Sequence, residues 1–381
     1  MIFLFWCSAA LVVYTYFIFP LLLRLFSPEP DLQELRPQQW PDVDVVLSAY
    51  NEETCIAQRL DNLLAADYAG KLTIYVASDG SKDRTADILQ GYAEHSKVRV
   101  DIHQQNRGKV TVLNELVANC QADYVVFTDA NTDFNSDTIS KLISSFSENI
   151  GAVCGELHLY NPEGNDNSDS LYWRYEQFLK QRESAMGALL GANGAVYAIK
   201  KSLYQPLPQS TVVDDFCIVM NIKKQGYDVV YNPAAFAHEE VAPSLGDEYG
   251  RRVRIGLGNY RAFMANLWAL SPTQGVLAWC YWSHKVLRWF APHFLIIALI
   301  SNWLLIDQPP YLLLALGQSL FYGIALLGLQ IEKKGRKNKG IIAIISFFVS
   351  MNFALAHGFL KFLRGGQQGS WKPTARQGET K

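Results

Sequence analysis

The sequence predicts an α/β domain with a mainly parallel sheet, flanked by transmembrane helices. Both ends of the chain are apolar runs nearly free of charge, while the charged residues crowd positions 29–265. Within that polar middle, short apolar runs alternate with helical patterns, as strands buried on both faces do. Polar clusters follow several of those runs, where ligands of parallel sheets bind. The 381 residues are 49% apolar and 18% charged, with a formal net charge of −2. Such a near-neutral chain without a basic stripe excludes nucleic acid as its main partner. Six scattered cysteines (7, 55, 120, 154, 217, 280) contain no C-x-x-C pair, so they read as small reduced core residues rather than a disulfide framework or a zinc site.

Ile2–Phe26 is long enough to span a bilayer, which takes roughly 20 residues. It lacks the basic n-region and small-residue cleavage site of a signal peptide and reads as an uncleaved anchor over 1–27. Arg24 and Arg36 place its C-terminal side in the cytoplasm. Further spans are expected at about His284–Ile306, Tyr311–Ile331 and Ile341–Leu363. Trp279, Tyr281, Trp282 and Trp289 interleave with His284, Lys285 and Arg288, which suits an interfacial helix over 276–290, with the spanning region over 291–363. The cluster Lys333, Lys334, Arg336, Lys337 and Lys339 fits an inner loop. Three crossings would then put the basic tail, 364–381, outside, against the charge rule. Either the last run is re-entrant or the spans number otherwise.

Between Asp42 and Asn266 the strand runs are Val43–Ala49, Leu72–Ser78, Val98–His103 and Tyr124–Thr128. The helical patterns are Thr54–Ala66 (Thr54 as N-cap), Asp83–His95, Lys109–Cys120, Ser170–Met186 and Phe216–Gln225. Tyr50-Asn51-Glu52, Ser78-Asp79-Gly80-Ser81 and Asp129-Ala130-Asn131 therefore fall on one rim of the sheet. Asp79-Gly80-Ser81 alone reads as a turn and helix cap. Asp129-x-Asn131-x-Asp133 begins like a calcium loop, but Phe134 and Ser140 stand where that loop needs Gly and Glu. Magnesium-style sharing of one or two oxygens with a substrate phosphate stays open. Neither G-x-x-x-x-G-K-[ST] nor a strand–helix G-x-G-x-x-G is present, which removes P-loop, kinase and dinucleotide readings.

Seven motifs in order resemble family 2 glycosyltransferases of the membrane-embedded, cellulose-synthase and hyaluronan-synthase-like branch. They are Ala49-Tyr50-Asn51-Glu52-Glu53, Ser78-Asp79-Gly80-Ser81, Asn106-Arg107-Gly108-Lys109, Thr128-Asp129-Ala130-Asn131, Gly191-Ala192-Asn193-Gly194, Val213-Asp214-Asp215-Phe216 and Arg251-Arg252-Val253-Arg254. The resemblance covers residues 40–265 and implies a GT-A domain there, transferring a sugar with inversion from a nucleotide sugar, usually UDP-linked, to a growing cell-surface polysaccharide or glycan acceptor. By the same likeness Tyr50, Glu52, Asp79, Lys109 and Asp129 bind the nucleotide sugar, with Asp79 on the base. Asp129 and Asn131 hold Mg²⁺ or Mn²⁺; Asn131 departs from the pattern, where a second Asp is usual. Asp215 matches the general base, and such a carboxylate is what an attacking hydroxyl needs. Asp214 can raise its pKa by repulsion; the pair also reads as a helix N-cap. Arg251 and Arg254 match groups that stabilise the leaving diphosphate, and Ile255 replaces the tryptophan that follows them in polymerising relatives, which leans toward a non-processive transferase.

His238-Glu239-Glu240 reads as an ordinary loop, and Tyr172 and Trp173 as packing of their helix, with a site or acceptor role as the second reading for each. The tail Trp371–Arg376 faintly resembles the W-G-T-R element of hyaluronan-type synthases, which would make it cytoplasmic. The reading is a multi-pass inner-membrane enzyme with its catalytic domain in the cytoplasm, contacting the lipid bilayer, a nucleotide-sugar donor and a glycan or lipid-linked acceptor. Its rivals are non-processive glycosylation of a membrane lipid carrier and a catalytically inactive nucleotide-sugar-binding subunit of an export complex. No sequence feature points to an oligomer.

Overall fold

A computed structural model describes residues 1–30, 37–160, 168–240, 245–336 and 338–365. The tail motif, Lys337 and Arg36 lie outside the described residues. Contacts divide the described chain into two units: one of residues 1–27, 168–179 and 245–365, and one of 28–30, 37–160 and 180–240.

The second unit is built on one mixed sheet of eight strands: β1 (Val43–Ala49), β2 (Leu72–Asp79), β3 (Val98–His103), β4 (Tyr124–Phe127), β5 (Thr132–Phe134), β6 (Ile150–Tyr160), β7 (Tyr197–Lys200) and β8 (Asp228–Glu240). Their order is β3-β2-β1-β4-β7-β6-β8-β5. The β3-β2-β1-β4 half is parallel, as is β6 with β8; β7 runs antiparallel to both neighbours and β5 antiparallel to β8. Central β1 is buried along its length except at Ser48, which is why it carries no alternating pattern. Its one charge, Asp44, is only 3% exposed, and Oδ2 accepts the Gln121 and Ala122 N–H groups at 2.6 and 2.9 Å. Phe127 and Tyr197, register partners on β4 and β7, stack with centroids 4.7 Å apart and fix the strand end before Asp129.

The helices are α1 (Ile2–Phe26), α2 (Ile56–Leu64), α3 (Thr85–Gln90), α4 (Lys109–Asn119), α5 (Thr138–Ser144), α6 (Ser168–Ala185), α7 (Asp214–Lys224), α8 (Leu245–Ala265), α9 (Val276–Trp303), α10 (Pro309–Lys333) and α11 (Gly340–Leu363). Thr54 does not cap α2. The Glu52 carbonyl accepts the Cys55 and Ile56 N–H groups at 3.1 and 2.9 Å and satisfies that first turn instead. The pattern over Asp83–His95 yields only the short α3, where the Asp83 carboxylate accepts from Thr85 N–H at 3.0 Å.

In the first unit, α1, α9, α10 and α11 are long and apolar enough to cross a membrane. Phe3, Phe17, Leu313 and Phe353 are about 70% exposed, a surface that water would not favour. The expected interfacial helix over 276–290 is not a separate element. It is the first half of the 28-residue α9, and Tyr281, His284 and Trp289 are buried. Partners inside the unit account for the difference: Arg288 donates to Glu176 on α6, and Trp279 Nε1 donates to Tyr14 Oη on α1 at 3.0 Å. Tyr172 packs there too, 5.5 Å from Phe347 between ring centroids. Helices α8 and α11 cross at glycines: a β-carbon on Gly358 would meet Gly256 Cα at 2.9 Å and Leu257 N at 2.7 Å. That crossing places 245–265, which the sequence assigned to the catalytic domain, in one unit with the four long apolar helices.

Candidate active site

The loops after β1 and β2 are tied together. Asn51 adopts φ +55°, a left-handed conformation that Asn tolerates better than most residues. Its N–H donates to Ser81 Oγ at 3.1 Å and its Oδ1 accepts Lys82 N–H at 2.8 Å. Glu52 is buried, its N–H donating to Thr85 Oγ1 at 2.7 Å. Tyr50 precedes them at the end of β1, half-buried. Gly80 has φ +68°, and a β-carbon there would come within 2.4 Å of Asn106 N, so the turn requires glycine.

Asp79 is 1% exposed, and its two oxygens accept the Arg107 and Gly108 N–H groups at 2.8 and 2.9 Å. Whatever it offers a nucleotide base, Asp79 builds the loop that delivers Lys109. Lys109 Nζ lies 2.8 Å from Asp129 Oδ1 and 3.4 Å from Asp214 Oδ2. Burial works against the ammonium, but Asp129, Asp214 and Asp215 outweigh it and raise the lysine pKa.

Helix α7 begins at Asp214, with Val213 as its N-cap and no side-chain cap, so neither aspartate is the N-cap residue. Asp215 Oδ1 accepts Phe216 N–H at 2.8 Å, and Gly194 lies over Oδ2, where a β-carbon would stand 3.5 Å away. Desolvation first, and then the neighbouring Asp214 carboxylate, push Asp215 up to about 6. Lys180, which donates to Asn193 Oδ1, pulls the other way.

Asn131 Nδ2 donates to Glu239 Oε1 at 3.0 Å. His238, Glu239 and Glu240 are therefore not an ordinary loop; they end β8, where Thr132 pairs with Glu239 and Asp133 with His238. Among the described residues no group of three His, Cys, Asp or Glu could hold a metal ion. What the turn offers is the Asp129 carboxylate and the Asn131 carbonyl oxygen, hard donors that fit a divalent cation completed by diphosphate oxygens.

The structure thus brings Lys109, Asp129, Asp214 and Asp215 together, with the loops of Glu52 and Asp79 tied beside one another. Arg251 and Arg254 lie on α8 in the other unit. One buried residue escaped the sequence reading. Arg59 is 1% exposed; it donates to Thr128 Oγ1 at 2.7 Å and to Asn62 Oδ1, and covers the Phe134 ring at 4.2 Å. Burial lowers it to about 9, against the pull of Asp133 and Asp129. Its signal was its place on the apolar stripe of α2 with Ile56, Leu60 and Leu63.

A mostly parallel sheet of this order with acidic loops at its parallel ends is a GT-A-like α/β fold. Residues 44–204 match the model of Glycosyl transferase family 2. Two poly-beta-1,6-N-acetyl-D-glucosamine synthases are similar to it. The Staphylococcus epidermidis protein is 26% identical over 62% of this chain and 59% of its own length. The Staphylococcus aureus (strain COL) protein is 27% identical over 68% of this chain and 64% of its own. This chain thus spans less than two thirds of their length. A mannosyltransferase from Pyrobaculum calidifontis, solved with GDP-mannose and Mn²⁺, shares the fold: TM-score 0.74 and 22% identity, covering 94% of this chain and 99% of that one.

Proposed function

We propose that this chain transfers a sugar, with inversion, from a nucleotide sugar to a glycan acceptor at the inner membrane, its polar middle on the cytoplasmic side. The observation that carries the reading is Asp215, half-buried beside Asp214 with a pKa raised to about 6. A base near the working pH can take the acceptor hydroxyl's proton as that oxygen bonds to the anomeric carbon and the diphosphate leaves. Lys109 offsets part of the negative charge of Asp129, Asp214 and Asp215. Asp129 and the Asn131 carbonyl would hold Mg²⁺ or Mn²⁺, which would neutralise charge on the leaving diphosphate. Arg251 and Arg254 take the same task in the resemblance.

The relatives' names favour N-acetylglucosamine, and the sequence resemblance favours a UDP donor; the GDP-mannose complex keeps guanosine donors in the test. Purified full-length protein in detergent is given a panel of UDP-sugars and GDP-mannose, and released nucleotide is measured. Release from one donor, loss with EDTA and recovery with Mg²⁺ or Mn²⁺ are expected. Metal-independent turnover would remove the cation from this reading. Ile255, in place of an aromatic platform, favours a second reading, short products on a lipid-linked acceptor. Long homopolymer made from one UDP-sugar without primer would sink it.

A further inference from the structure

Asn131 is where this chain lacks the usual second aspartate, and the structure supplies it with a charged partner. The contact is built into the backbone. β5 follows Asn131 directly and pairs with β8, which sets Thr132 opposite Glu239. The far end of β5 is clamped by Asn62, whose Nδ2 donates to Phe134 O and whose Oδ1 accepts Phe134 N–H, both at 2.9 Å. Arg59 donates to Thr128 Oγ1, just past β4, and covers the Phe134 ring at the far end of β5. A carboxylate only accepts, so Glu239 takes the amide nitrogen at 3.0 Å and turns the Asn131 carbonyl oxygen the other way. A full negative charge then stands one hydrogen bond behind a neutral oxygen donor. Such outer partners orient ligands and raise their donor strength.

We propose that Asn131 and Glu239 act as one unit: Glu239 is a positioning residue that aims the Asn131 carbonyl at a divalent cation and supplies the charge a second aspartate would carry. This rests on the reading above, in which that cation also meets Asp129 and the diphosphate.

The experiment measures Mn²⁺ affinity of the detergent-purified full chain by electron paramagnetic resonance, with saturating UDP and, in a second arm, GDP. Four proteins are compared: wild type, Glu239→Gln, Asn131→Asp and the double variant. Glu239→Gln keeps an oxygen for the Asn131 amide and removes only the charge; it should weaken Mn²⁺ binding about 10- to 100-fold. Asn131→Asp alone sets two carboxylates against each other and should bind no more tightly than wild type. The double variant moves the charge back to position 131 and should return to within about twofold of wild type, a rescue that independent sites cannot give. A merely structural Glu239 predicts no rescue. Glu239→Gln with wild-type affinity, a double variant no better than Glu239→Gln, or tighter binding by Asn131→Asp alone would each overturn the unit. If wild type itself holds no Mn²⁺ beyond what the nucleotide alone holds, the cation reading falls, and the unit with it.

Discussion

Two desolvated carboxylates in this molecule are treated in opposite ways. Asp215 has another carboxylate beside it, and desolvation and that neighbour act in the same direction, holding it up at about 6. Glu176, on α6 in the other unit, is also desolvated, which alone would raise it. Arg288 and then His284, whose Nε2 is 3.5 Å from Glu176 Oε2, reverse that and keep its carboxyl well below the usual carboxylate range. Desolvation is common to both; the sign of the nearest charge decides the outcome. One carboxylate is poised to accept a proton near neutrality, and the other is locked as an ion.

The largest test of that contrast is Asp215→Asn, expected to cut transfer by about 10²–10⁴-fold while nucleotide affinity stays near wild type. Retention of more than about a tenth of wild-type turnover would remove Asp215 from the base role. At Glu176 the loss should fall on stability instead. Arg288→Met strands a buried charge and should cost about 3–5 kcal/mol in detergent unfolding, with Arg288→Met/Glu176→Leu recovering most of it. The pH profile sharpens the comparison further. Asp215 acts unprotonated, so kcat/KM should climb about tenfold per pH unit below about 6 and level off above it; a flat profile from pH 5 to 8 contradicts the assignment.

The smallest effect concerns folding. The folded pKa of Asp215 lies above its ordinary value of 3.8, so its cost to the native state is present above about pH 6 and gone below about pH 4. Asp215→Asn should therefore stabilise the protein at pH 7.5, a gain that shrinks away as the pH falls to 4. Equal unfolding midpoints for the two proteins at both pH values would show that Asp215 is not held up in the native state.

The parallel half of the sheet was legible because β1, β2, β3 and β4 are apolar runs closed by polar clusters, a local pattern. The antiparallel half was not, since β7 is four residues long and β5 three, and each is defined by a neighbour distant in sequence. The acid cluster was legible as motifs. Glu239 was read first as part of an ordinary loop, with a site role only second, because its strand pairing with Thr132 is invisible at a separation of about a hundred residues. Arg288 was read as an interfacial cation for the same reason: its partner Glu176 lies far away along the chain.

The glycine crossing of α8 and α11 has a consequence for biogenesis. Gly256 closes on Gly358, about a hundred residues further along, so on a growing chain α8 cannot take its final seat until α11 has left the ribosome. The strands and aspartates of the second unit, all complete by residue 240, are synthesised before then. The helix that bears Arg251 and Arg254 is thus the late arrival, and a nascent chain stalled before α11 has made its acids while its arginines still wait for their anchor.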